Sequence, residues 1–148
     1  MKTPAIAAAL LLAALPATAA EVRLSAAVGD SLVQIVEDAP QAIRVTVNEK
    51  TVLDERRSQA VGLVNVYNAK QRWLLLLRQT SADASCPVSY RILDLGTETP
   101  SVSFPFGSCS EELEVAVEEG MLTVSMPGKA TGTKSAWTYA EGTLFRSR

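Results

Sequence analysis

Leu74 to Leu77 are four consecutive leucines, preceded by Arg72-Trp73 and followed by Arg78. In a strand, successive side chains point to opposite faces. This run therefore makes both faces apolar, unlike a sheet that keeps one face in water. Such a strand belongs in the interior of a sheet covered on both sides. Trp73 is expected to be buried with it.

The surrounding sequence supports strands over helices. Ile43, Val45 and Val47 alternate with Arg44, Thr46 and Asn48. Leu113, Val115 and Val117 alternate with Glu114, Ala116 and Glu118, and Leu122, Val124 and Met126 with Thr123 and Ser125. Period two with one polar face marks a half-buried strand. No stretch after residue 20 carries a capped 3.6-residue apolar stripe. Leu53 to Ala60, with Asp54, Glu55, Arg56 and Arg57, reads as a charged loop in preference to a short helix.

Turn signals separate the strands. Glu118-Glu119-Gly120 and Ala140-Glu141-Gly142 read as three-residue links with Gly in the left-handed position. Asn68 to Gln71 and Asn48 to Lys50 supply two further turns. Pro127 to Lys134, rich in Gly and Thr, reads as a mobile loop. The expected fold is all-β: an antiparallel hairpin meander forming a two-sheet β-sandwich, with a small closed β-barrel as the alternative.

The N-terminus has the pattern of an export signal. Lys2 is followed by an apolar stretch from Ala5 to Leu15, then Pro16 and the small residues Ala17 to Ala20. That stretch is far shorter than the roughly 20 residues a membrane-spanning helix needs. Cleavage is expected before Ala20 or Glu21, with residues 21–148 forming one domain in the periplasm or outside the cell. Without Lys2 the chain holds 13 basic and 16 acidic residues, a net charge of −3. A nucleic-acid partner would call for a basic face. No membrane span is expected in the mature form.

The sequence contains no histidine. Ser-His-Asp and Cys-His nucleophile systems are thereby excluded, as are histidine-held zinc, copper and non-haem iron. No cofactor and no metal site are expected. Asp94, Glu98 and Glu141 are available carboxylates, but nothing in their spacing pairs any two for glycoside hydrolysis.

Cys86 and Cys109 are the only cysteines, and an exported protein favours a disulfide between them. Their positions agree with a hairpin. Val88 to Leu95 and Ser101 to Phe106 read as strands joined by the turn Gly96 to Pro100. Opposed residues of a hairpin share one index sum, and the two cysteines sum to 195, centred on that turn.

Phe104, Pro105 and Phe106 lie beside Cys109. Pro105 lacks a ladder donor and so favours a sheet edge. Aromatics at i and i+2 share one face of an extended segment. This edge, with the nearby Glu111 and Glu112, is the expected partner-binding surface, although aromatics more often pack in the core. Glu111, Glu112, Glu114, Glu118 and Glu119 also serve simply to keep a strand edge soluble.

The expected function is that of a small non-catalytic bacterial envelope protein, inhibitor-like or immunity-like, with a periplasmic or secreted protein as partner. The alternative is a periplasmic carrier of an apolar ligand in a β-barrel. A histidine-free hydrolase ranks third. A binder requires a filled core and an exposed aromatic or acidic surface. A carrier requires an enclosed apolar chamber, and a hydrolase two converging carboxylates.

Overall fold

The computed structural model describes residues 19–96 and 98–148. The expected leader therefore lies almost wholly outside the described residues. The rest is strand and turn, in three sheets of four antiparallel strands each. The first sheet contains β1 (Glu21–Val28), β2 (Ser31–Ala39), β3 (Ala42–Val47) and β4 (Lys50–Glu55). The second contains β5 (Ala60–Ala69), β6 (Arg72–Thr80), β7 (Val88–Asp94) and β8 (Ser101–Val102). The third contains β9 (Glu114–Glu118), β10 (Met121–Pro127), β11 (Lys134–Ala140) and β12 (Thr143–Arg146). Within every sheet, neighbours in sequence are neighbours in space, which is the expected meander.

The second sheet is the middle layer. Leu75, Leu77 and Leu93 on one face pack with Val33, Ile35, Val45 and Val47 of the first sheet. Leu74, Leu76, Tyr90 and Ile92 on the other face pack with Leu122, Val124, Met126 and Tyr139 of the third. All four leucines of β6 are 0% exposed. The all-β sandwich read from the sequence is thus present, built from three sheets where two were expected, with the strand that is apolar on both faces covered by a sheet on each side. The barrel alternative is overturned: the strands form three separate open sheets, each burying a face against its neighbour.

Trp73 corrects a second expectation. It is 37% exposed, whereas Leu74 to Leu77 are buried. It sits near the start of β6, beyond the packed layer, and its indole covers the Gly29 turn between β1 and β2. The segment 53–60 contains no helix: β4 runs through Glu55 and the chain then bends into β5.

Four hairpin turns are tighter than their sequences indicate. Glu118 pairs with Met121 and Ala140 with Thr143, which leaves two-residue loops. Val47–Lys50 and Ala69–Arg72 are closed in the same way. Both residues of each loop take positive φ, from 47° at Asn48 to 87° at Gly120. This is the type I′ pattern, whose twist matches that of the flanking strands. Gly120 and Gly142 occupy the second position without steric cost.

A buried polar clamp crosses each layer boundary. Gln79 on β6 donates from Nε2 to Glu55 Oε2 at 2.6 Å, and Arg91 Nε on β7 donates to Gln79 Oε1 at 2.8 Å. Burial alone would push the Glu55 carboxyl up. The main-chain N–H of Arg57, the Gln79 amide, the N–H of Ser58 and the charge of Arg91 outweigh it and hold the group below its ordinary value. At the other boundary the Tyr139 hydroxyl donates to Asp94 Oδ2 at 2.8 Å, and Asp94 is 0% exposed. Burial, then the hydrogen bond to Asp94, push the Tyr139 hydroxyl up to about 12.

Leu75 and Leu76 point into different cores, so their losses are expected to add. Leu75→Ala and Leu76→Ala should each cost about 2–5 kcal/mol in denaturant unfolding. The double variant should approach the sum, within about 0.5 kcal/mol. A cost below about 1 kcal/mol for either variant would show that one face of β6 lacks a covering layer.

Candidate functional site

The disulfide forms between Cys86 and Cys109, with Cα atoms 4.7 Å apart. The hairpin arithmetic holds at the turn end and shifts by one nearer the disulfide, where Tyr90 pairs with Phe106. Leu93 pairs with Val102 and Asp94 with Ser101, both summing to 195. Cys86 lies in the link from β6 to β7, where its N–H donates to the Asp83 carbonyl at 3.1 Å. Cys109 lies in the link from β8 to β9 and takes a positive φ of 68°. The bond thus fastens the link after β8 to the central sheet.

Only Ser101 and Val102 form a regular strand, but the pairing with β7 continues past them. Ser103 N–H donates to the Ile92 carbonyl at 2.9 Å. Phe106 and Tyr90 then exchange two main-chain bonds, of 2.8 and 2.9 Å. Between these contacts Phe104 and Pro105 stand opposite Arg91 alone, which makes a bulge. Arg91 fixes its base by donating from Nη1 to the Ser103 carbonyl at 2.9 Å.

The bulge separates the two aromatics expected to act together. Phe104 turns out into solvent and is 85% exposed. Phe106 turns in and is 7% exposed, with ring centroids 6.3 Å from Tyr90 and 5.7 Å from Trp137. The rule that i and i+2 share a face fails here because the extra residue shifts the alternation. Pro105 itself is exposed at the edge, as expected.

Phe104 lines a groove of about 260 Å³ with Tyr139 and Leu144. Glu111 and Glu112 do not join it. Glu111 is exposed, pairs with Arg78 and lines a separate groove beside Leu63 and Val64. Glu112 is exposed and lines a third, with Ser125 and Lys134. Of the carboxylates noted in the sequence, Asp94 is occupied by Tyr139 and the Gly96 N–H, while Glu98 and Glu141 are exposed on turns.

A further groove, of about 440 Å³, lies beside the stapled link. Gly107 and Ser108 form one wall, the loop after β10 another, and Trp137 and Arg146 a third. Hydrogen bonds close that loop on itself. Gly128 N–H donates to the Thr133 carbonyl at 2.7 Å, and Thr133 Oγ1 to the Ala130 carbonyl at 2.6 Å. A side chain at position 128 would place its Cβ 2.1 Å from Thr133 Oγ1, so the closure requires glycine. Lys129 and Lys134, within the Gly/Thr-rich stretch, are the local sequence signal for this groove.

No family model matches the chain, and no curated protein or solved structure matches it.

The disulfide closes a loop with a sequence separation of 23. Replacing both cysteines with Ser should lower unfolding stability by about 3–4 kcal/mol. A change below about 1 kcal/mol would show that the link after β8 is held without the bond.

Proposed function

We propose that this chain is an exported, non-catalytic binding protein of the bacterial envelope, inhibitor-like or immunity-like, which meets another macromolecule through the Phe104 edge. The observation that carries this reading is the 85% exposure of Phe104 on a bulge fastened by the ladder to β7 and by the Cys86–Cys109 bond. A large ring held in water by rigid backbone is a natural anchor for a partner's pocket, because little ordering entropy remains to be lost.

Three further observations support it. Both layer boundaries are filled by side chains, as a binder requires. The open sheets provide no barrel lumen for an apolar ligand, which weakens the carrier reading. The absence of histidine removes the commonest general base. Export is supported by the N-terminal pattern and by the disulfide. Among the described residues no helix is long and apolar enough to cross a membrane.

The test uses the disulfide-bonded protein as bait in an envelope extract, with the captured partner then purified and titrated. Phe104→Ala should weaken binding by more than about 2 kcal/mol with an unchanged melting temperature. Phe106→Ala should instead destabilise the fold, by about 3–5 kcal/mol. Failure to capture a partner, or equal affinity of the Phe104→Ala protein, would contradict the reading.

A further inference from the structure

We propose that the groove beside the stapled link is a binding site for a phosphate-type oxyanion carried by a ligand. The site is separate from the Phe104 edge and does not depend on the binding function assigned to that edge. Every charged residue lining the groove is a cation: Lys129, Lys134 and Arg146. This concentration stands out in a chain whose net charge is −2.

Arg146 is pre-positioned. Its Nη2 donates to Ser135 Oγ at 3.0 Å, and its Nε to the main-chain oxygen of Arg148, the last residue of the sequence, at 3.0 Å. The guanidinium lies over the Trp137 ring, 5.6 Å from its centroid, and Trp137 rests against Phe106. Its Nη1 makes no hydrogen bond among the described residues and is left to donate. Lys129 forms no ion pair among the described residues either. Lys134 reaches Glu114 Oε2 at 2.7 Å and contributes a partly neutralised charge.

The hydroxyls at the rim serve the shape of the site. Ser108 Oγ donates to the Pro127 carbonyl at 2.6 Å, and Thr133 Oγ1 to the Ala130 carbonyl. Both protons are therefore used to fix the walls, leaving the cations to bind the ligand. A guanidinium and two ammonium groups on different elements suit an oxyanion with several oxygens and a charge near −2. A phosphate monoester has these properties, with a charge of about −1.5 to −2 near neutral pH. A carboxylate offers two oxygens and one charge.

The site contains its own reporter. The chain has two tryptophans, so in Trp73→Phe protein all indole emission comes from Trp137, beneath Arg146. Inorganic phosphate is titrated into this protein at constant ionic strength, with chloride as the exchanged anion. A saturable change in emission is expected, with affinity reduced about tenfold or more by Lys129→Ala or Arg146→Gln, each removing a charge-assisted contact. Lys70→Ala, in a different groove, should leave it unchanged. Lys129 is exposed and forms no ion pair, so its variant remains informative if Arg146→Gln fails to fold.

Vesicles of phosphatidylcholine, with and without phosphatidic acid, whose headgroup is a phosphate monoester, separate the two sources of the phosphate group. Sedimentation with the anionic vesicles that is lost in Lys129→Ala would identify a lipid headgroup as the source. A phosphate response without vesicle binding would identify a soluble ligand. A response that chloride reproduces, that does not saturate, or that survives Lys129→Ala would overturn the proposal.

Discussion

Burial of the four β6 leucines on both faces of one strand is the constraint on which the rest of the structure depends. Removing a leucine side chain from water is worth about 1.5–3 kcal/mol, and a single covering layer would secure only half of them. Two further sheets are therefore required, one over Leu75 and Leu77 and one over Leu74 and Leu76. Each outer sheet has one neighbour and can leave its other face in water. That is why β10 alternates buried and more exposed residues while Leu74 to Leu77 are all buried.

Apolar packing alone fixes neither the register nor the angle of stacked sheets. The clamps at Glu55–Gln79–Arg91 and at Asp94–Tyr139 supply directional contacts at the two boundaries. Buried polar groups of this kind are costly when half-satisfied, so each clamp favours one arrangement of its layers. The central sheet, held on both sides, then acts as the frame for the link after β8. The disulfide and the ladder to β7 fasten that link, which presents Phe104 outward and sends Phe106 inward to support Trp137 and Arg146.

Much of the fold was legible because its signals are local. The leucine run indicated a doubly covered strand, alternation marked β3, β9 and β10, and the index sum joined Cys86 to Cys109. Misreadings arose where position within an element, or register between elements, outweighed local pattern. Trp73 shares the β6 run but lies near its end, where only the Gly29 turn of the first sheet reaches it and it stays 37% exposed. Phe104 and Phe106 obey the strand rule until a bulge, visible only through pairing with β7, reverses their faces. The turns at Glu119-Gly120 and Glu141-Gly142 carried the expected glycines, but their length depended on where pairing stopped. The basic groove left almost no sequence signal, because Ser108, Lys129 and Arg146 come from three separate segments.

Native-state hydrogen exchange tests the three-layer account most directly. If β6 is covered on both sides, the amides of Leu74 to Leu77 should exchange only through global unfolding, with the free energy measured by denaturant. Amides of the edge strand β12 should exchange through smaller openings. Exchange of the β6 leucine amides at free energies as low as those of β12 would contradict the central claim that this strand is sealed between two sheets.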